Sequence, residues 1–248
     1  MVWATRTVDP LLPNETGVLD GLAYSLWLPS PPQPPATAGV IVIHGAGSRK
    51  ESHYDFARAA VGLGLGAICF DQRGHGDSGG RLDAGAVDDV VGIAERLRQS
   101  LGDVDAPVAL RGSSMGGYLA LVAAEPARAQ AVVAICPASA GGLKRGLLGG
   151  RFGFAADTAA VARFLDEHDC SDAVRSLSAP LLLMHAEGDE RVPVQHSHEL
   201  AAEMRHPSSR LIVVPGGHHR SVQHDQQLQA LSLRFITRSL GVAGGRRR

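Results

Sequence analysis

A three-layer α/β sandwich on a mostly parallel sheet is the fold the sequence predicts, and three observations predict it. Six short apolar runs, at 40–43, 67–70, 108–110, 131–136, 181–184 and 211–214, are continuous rather than alternating, as strands covered on both faces are. Segments of helical length separate them, and strand and helix in alternation, with both faces of the sheet covered, stack into three layers. Turn-forming residues follow several of the strands directly, where an open parallel sheet holds its ligand.

The elements follow in order. Leu22, Tyr24, Leu26 and Leu28 alternate with Ala23, Ser25 and Trp27, the period of two of a half-buried strand. The five prolines of 29–35 end it in an exposed, stiff connection, because proline fixes its own φ and lacks a donor. Helices are predicted over 54–63, 87–101, 115–124, 195–204 and 221–240; in the second, Val87, Val90, Val91, Ala94, Leu97 and Leu101 share one stripe. The stretch 137–178 is longer than one crossover helix needs, and its first half is glycine-rich with leucines that read as exposed. It is expected to be a cap insertion in a single domain spanning 1–248, since a chain of 248 residues that is 44% hydrophobic can bury one large core.

Composition excludes several roles. With 24 basic against 25 acidic residues the net charge is -1, and no field gathers phosphates, so a nucleic-acid partner is not expected. The basic run Arg246, Arg247 and Arg248 reads as a solvated tail. The first residues lack a signal-peptide core and no run approaches the roughly 18 apolar residues of a membrane span, so a soluble, cytoplasmic protein without a membrane partner is expected. Three cysteines cannot all pair; Cys69 and Cys136 end apolar runs and read as core thiols. His196 and His198 diverge at a helix start without a further ligand at metal spacing, and neither G-x-x-x-x-G-K-[ST] nor G-x-G-x-x-G is completed around Gly45 and Gly47. Neither a metal nor another cofactor is expected.

The residues after the strands carry the chemistry. Gly112-Ser113-Ser114-Met115-Gly116 matches G-x-S-x-G with Ser114 at the centre, between a strand and a helix, and glycines two before and two after are what so crowded a turn needs. Centred on Ser113, the same spacing would put Arg111 and Met115 in the crowded positions. Ser113 therefore reads as a turn residue whose hydroxyl finds a local partner. The helix N-terminus behind Ser114 favours a developing oxyanion. After 40–43 comes His44-Gly45-Ala46-Gly47, and the N–H groups of Ala46 and Met115 would make a two-donor oxyanion hole. After 181–184 stand Glu187, Asp189 and Glu190; Asp189 is favoured because it follows Gly188 in a turn and its side chain is short. After 211–214 stand His218 and His219, either of which could serve as general base, in the chain order serine, acid, histidine.

Taken together, His44-Gly45, Asp71-Gln-Arg-Gly-His-Gly-Asp-Ser78, the Gly-Ser-Ser-Met-Gly-Gly turn, Gly-Asp-Glu-Arg-Val-Pro and Pro-Gly-Gly-His-His resemble the α/β-hydrolase family along nearly the whole chain. The resemblance implies that family's three-layer sandwich, with an antiparallel N-terminal strand and a short cap. It also implies a triad of Ser114, Asp189 and His219, with Asp71 and Arg73 structural and His75 an exposed turn residue. The implied activity is hydrolysis of a small or medium carboxylic ester through an acyl-enzyme, as in carboxylesterases and dienelactone-hydrolase-like proteins. Peptidases and thioesterases share the elbow, and a pocket acid or a basic patch around Lys144, Arg145 and Arg151 would distinguish them. Haloalkane dehalogenases and epoxide hydrolases resemble the fold but use an aspartate where Ser114 stands. A non-catalytic binding protein on this fold is the alternative of another class. Because a neutral imidazole is required, activity should fall as pH drops below about 6.5.

Overall fold

The computed structural model describes residues 10–242; the first nine residues and the tail carrying Arg246, Arg247 and Arg248 lie outside the described residues. Eight strands form one sheet: β1 (Glu15–Leu19), β2 (Leu22–Trp27), β3 (Gly39–Ile43), β4 (Gly66–Phe70), β5 (Val108–Ser113), β6 (Ala131–Ile135), β7 (Leu181–Ala186) and β8 (Arg210–Val214). Their order is β1-β2-β4-β3-β5-β6-β7-β8. β2 is antiparallel to β1 and β4, and the remaining pairs are parallel. Nine α-helices are described: α1 (Tyr54–Val61), α2 (Ala86–Leu101), α3 (Met115–Val122), α4 (Ala140–Leu148), α5 (Thr158–Glu167), α6 (Cys170–Ser176), α7 (Val194–Ala202), α8 (Ser221–His224) and α9 (Gln226–Ser239).

Successive side chains of a strand face opposite ways, and here each face meets a helical layer. Ile41 and Ile43 of β3 enter a core shared with α2 and α3, whereas Val40 and Val42 enter a second core with α1 and α9. This double burial is why the strands read as unbroken apolar runs. It also corrects the half-buried reading of 22–28: all six residues of β2 are buried. Tyr24 and Leu26 face the α2 side, and Trp27 packs on the ring of Tyr54 on the other.

Other differences have local causes. β1 escapes the sequence reading because it is an edge strand of mixed polarity, although Asp20 and Gly21, with φ of 49° and 84°, make the tight two-residue turn that such a pair favours. The helix expected over 221–240 is broken at Asp225, whose carboxylate accepts from the N–H groups of Gln227 and Leu228 and starts a new helix. Between β6 and β7 lie α4, α5 and α6; Leu143 is buried and Leu147 partly so, and of the leucines expected to be exposed only Leu148 is. Cys69, Cys136 and Cys170 are buried and free. No helix among the described residues is long and apolar enough to cross a membrane.

One buried ion cluster ties the segment after β3 to the loop after β4. Asp71, fully buried, accepts from the Lys50 N–H at 2.7 Å, from Lys50 Nζ at 2.9 Å and from the Asp77 N–H at 2.9 Å. Lys50 Nζ also lies 2.6 Å from Asp77 Oδ2 and 2.9 Å from Glu51 Oε1. Burial works against the Lys50 charge, but these carboxylates outweigh it and raise the ammonium pKa. Removing one partner of a buried pair strands the other charge, so Lys50→Met is expected to cost roughly 3–5 kcal/mol, read by urea unfolding. A loss below about 1 kcal/mol would mean that Asp71 takes up a proton or is reached by water once Lys50 is gone.

Candidate active site

β5 ends at Ser113 and α3 begins at Met115, which leaves Ser114 alone at the turn with φ 55° and ψ -118°. A side-chain-bearing residue held there costs roughly 1–3 kcal/mol and persists only where its surroundings over-determine it. They do: the Ser114 N–H donates to Ile135 O at 2.9 Å, and its carbonyl accepts from Tyr118 at 3.0 Å and Ala138 at 3.1 Å. The flanking glycines are required by space. A Cβ on Gly112 would lie 1.9 Å from Gly116 O, and one on Gly116 would lie 2.2 Å from Ile43 O and 2.5 Å from His44 O. Since backbone carbonyls cannot rotate aside, Gly116→Ala is expected to destabilise by about 3 kcal/mol or more and to push the loop after β3 away from Ser114. Gly92→Ala, in α2 with nothing within 4 Å, is the control and should gain about 0.5–1 kcal/mol. Thermal unfolding of both variants checks the contrast.

That loop stands against Ser114, since a Cβ on Gly45 would lie 3.2 Å from Ser114 Cβ. His44 shapes it from within. Its Nε2 accepts from the Gln72 N–H at 3.1 Å, so its Nδ1 carries the proton and donates to Gly45 O at 2.8 Å; burial lowers the ring's pKa to about 4. The N–H groups of Ala46 and Met115 make no hydrogen bond among the described residues, as first-turn donors of a helix and donors of a glycine loop can remain. Ser113 is 5% exposed, and its hydroxyl makes no hydrogen bond among the described residues; the local partner expected for it is not there.

Past β7, Asp189 Oδ2 lies 2.7 Å from His219 Nδ1, and Oδ1 accepts from the N–H groups of Arg191 at 2.8 Å and Val192 at 2.9 Å. Burial pushes the Asp189 pKa up, but hydrogen bonds from His185, His219 and the two backbone groups more than reverse this and hold the carboxyl well below its usual range. Glu190 accepts the His219 N–H at 3.0 Å, which orients the loop rather than the ring. His219 is buried at 8% exposure, whereas His218 is exposed and engages Ser221. Glu187 lies 3.5 Å from the Gly216 N–H. The two loops touch closely enough that a Cβ on Gly188 would meet Gly217 O at 2.5 Å.

The structure thus joins Asp189, after β7, to His219, after β8, and sets Ser114 and Met115 at the end of β5, with β6 between the two groups and Gly45 of the loop after β3 against Ser114. It forms no hydrogen bond from Ser114 Oγ among the described residues, and such contacts commonly tighten only around a substrate. Cys136, with φ 42° at the end of β6, was passed over in the sequence as a core thiol; its sulfur lies within 4.8 Å of ligand atoms of both Asp189 and His219. At 2.7 Å the Asp189–His219 pair is a hydrogen bond, closer than the roughly 3.3 Å that separates two ligands of one tetrahedral zinc.

Against known proteins, residues 34–167 match the family model described as serine aminopeptidase, S33. The chain belongs to this family of α/β-hydrolases. Among its relatives are the uncharacterized protein Rv2307c of Mycobacterium tuberculosis, 27% identical over 83% of this chain and 71% of that one. YfhR of Escherichia coli K12, also uncharacterized, is 28% identical over 87% and 69%. The fold is shared with Est1E of Butyrivibrio proteoclasticus with ferulic acid bound, with a TM-score of 0.70 at 20% identity over 92% of this chain and 98% of that one. It is shared as well with a monoacylglycerol lipase of Paleococcus ferrophilus, with a TM-score of 0.65 at 19% identity over 88% and 98%.

Met115, next to Ser114 in the chain, opens onto an apolar cleft of this α/β-hydrolase. Met115 and Tyr118 of α3 form its floor, and Leu143 of α4, Phe152, Phe154 and Phe164 of α5 form its roof. One acid, Asp83, reaches its edge, with Oδ1 taken by the Gly85 N–H at 2.8 Å. His75, expected to be an exposed turn residue, is instead 4% exposed: its ring stacks on Phe154 at 4.1 Å, and its Nδ1 lies 3.1 Å from Arg73 O. The hydrolase builds that wall from residues distant in sequence, which is why a local reading of the turn misplaces it.

Proposed function

We propose that the protein is a carboxylesterase that cleaves small or medium, uncharged acyl esters through Ser114, His219 and Asp189. One observation carries the reading: at the strand ends a histidine is bonded to a buried aspartate, and a serine held at φ 55° precedes the Met115 N–H, which makes no hydrogen bond among the described residues. Asp189 accepts from Nδ1 and so leaves Nε2 of His219 unprotonated, able to take the Ser114 proton as Oγ attacks the carbonyl. The Ala46 and Met115 N–H groups receive the oxyanion. His219 then returns the proton to the leaving alcohol, and a water, deprotonated by His219, frees the acid from Ser114.

The substrate class rests on the cleft, whose apolar walls favour an uncharged group. A thioesterase acting on an anionic carrier would use free basic residues: Lys144 is paired with Asp166 at 2.6 Å, whereas Arg145 and Arg151 are exposed with no ion pair among the described residues, so a coenzyme A thioester belongs in the substrate panel. The aminopeptidase reading rests on the description of the matching family model and on Asp83, which could receive an amino terminus. A fluorophosphonate probe should label the wild-type protein and not Ser114→Ala. Rates on p-nitrophenyl esters of increasing length, set beside aminoacyl anilides, then decide the class. Anilide turnover that exceeds ester turnover and is lost in Asp83→Asn would overturn the esterase reading.

A further inference from the structure

Asp189 has a second histidine. His185, fully buried at the end of β7, places Nε2 3.0 Å from Val192 O and 3.3 Å from Asp189 Oδ2. Its Nδ1 lies 2.7 Å from Oγ of Ser197, itself fully buried on α7. A carbonyl and a carboxylate can only accept, so the ring proton is on Nε2 and Nδ1 accepts from the Ser197 hydroxyl. We propose that His185, backed by Ser197, is a positioning residue that fixes Asp189 Oδ2 against His219 and limits the pull of that carboxylate on the His219 proton.

Three points carry this. An imidazole and a hydroxyl buried at a strand end cost free energy that an aliphatic pair would not, and the hydrogen bonds that offset the cost, Ser197 to Nδ1 and Nε2 to Val192 O, hold the ring with Nε2 facing Asp189 Oδ2 at 3.3 Å. Both oxygens of the carboxylate have two donors facing them: Oδ1 has the Arg191 and Val192 N–H groups, and Oδ2 has His219 Nδ1 at 2.7 Å and, less closely, His185 Nε2 at 3.3 Å, whose proton it shares with Val192 O. A donor that shares Oδ2 drains part of the charge the His219 bond would otherwise receive, because two hydrogen bonds to one oxygen compete. Ser197 also gives a role to the stretch His196-Ser197-His198, whose histidines the chemistry leaves unused.

The inference rests on the proposed triad, and its test separates the two. The other groups near the pair are the Cys136 thiol at the end of β6, Glu190 with Arg191 at 3.6 Å from it, and His196 of α7; of these, His196 has His185 among the groups that act on it, so the titration is read on the His219 ring itself. His185→Phe removes the donor and keeps a ring. With Oδ2 freed, His219 should hold its proton more tightly, so the acid limb of the kcat profile should move up by roughly half a pH unit or more. kcat at neutral pH should fall about tenfold, with KM within about twofold, since the loss is in positioning and not in binding. His185→Gln, which can still donate to Asp189, should restore the limb and most of kcat, and Ser197→Ala should show a smaller shift of the same sign. A folded His185→Phe protein with the wild-type limb and kcat would overturn the proposal; if that variant does not fold, an unmoved limb in Ser197→Ala does so. NMR titration of the His219 ring reads the same shift without turnover. A wild-type protein that the fluorophosphonate fails to label would therefore sink the esterase reading, while an unmoved His219 titration would sink this one.

Discussion

Ser114→Ala is expected to lower kcat on a p-nitrophenyl ester by about 10⁴- to 10⁶-fold, while Ser113→Ala stays within about threefold. The asymmetry comes from the turn. Ser114 is the residue with the strained backbone, with a floor of glycines on both sides and with the Met115 N–H directly behind it, whereas Ser113 ends β5 and is buried with its neighbours. Alanine keeps the strain and the packing, so Ser114→Ala should unfold at the wild-type temperature. Ser114→Gly, free to adopt the same φ and ψ, should gain about 1 kcal/mol while equally inactive. Stability that rises as activity vanishes would mark the turn as a place where strain is held for function. Full activity in Ser114→Ala, or its loss in Ser113→Ala, would sink the assignment; both kinetics and thermal melts are needed to tell an inactive protein from an unfolded one.

How much of this was legible beforehand depends on distance along the chain. The double coverage of the sheet shows in the apolar runs because burial on both faces is a local compositional demand, and β3 to β8 were found within a few residues. The spacing Gly112-x-Ser114-x-Gly116 was readable for a steric reason that the contacts at 1.9 Å and 2.2 Å make concrete. By contrast, the burial of His75 depends on Phe154, about eighty residues away, and no local pattern at 71–78 contains it. His185 and Ser197 are both visible in the sequence, yet only the curl of β7 into α7 turns Ser197 toward His185 and His185 toward the Asp189 carboxylate. The choice between His218 and His219 could be narrowed only by resemblance. In the structure the two adjacent rings differ in surroundings: that of His219 is buried against Asp189, whereas that of His218 is exposed and accepts from the Arg220 N–H.

Asp189→Asn should lower kcat at neutral pH by about 10³- to 10⁴-fold with little change in KM, because it changes which nitrogen of His219 carries the proton. The amide can satisfy the Arg191 and Val192 N–H groups through its oxygen, which turns its NH₂ toward His219 Nδ1 and His185 Nε2. His219 can accommodate that by moving its proton to Nε2, where it faces Ser114 and blocks proton abstraction. His185 cannot do the same without loss, since Val192 O also needs the Nε2 proton, so one buried donor is left facing another. The pH dependence of stability supplies an independent check. A carboxyl whose folded pKa lies below its unfolded value stabilises the protein above the ordinary carboxylate range, and that stabilisation is lost as pH falls through the folded value. Asparagine has no such dependence. The gap in melting temperature between wild type and Asp189→Asn should therefore be widest above about pH 5 and narrow as the solution is acidified below about pH 4. A gap that stays constant down to pH 2 would mean that Asp189 is not held as the ion, and with it would go the argument for which nitrogen of His219 faces the serine.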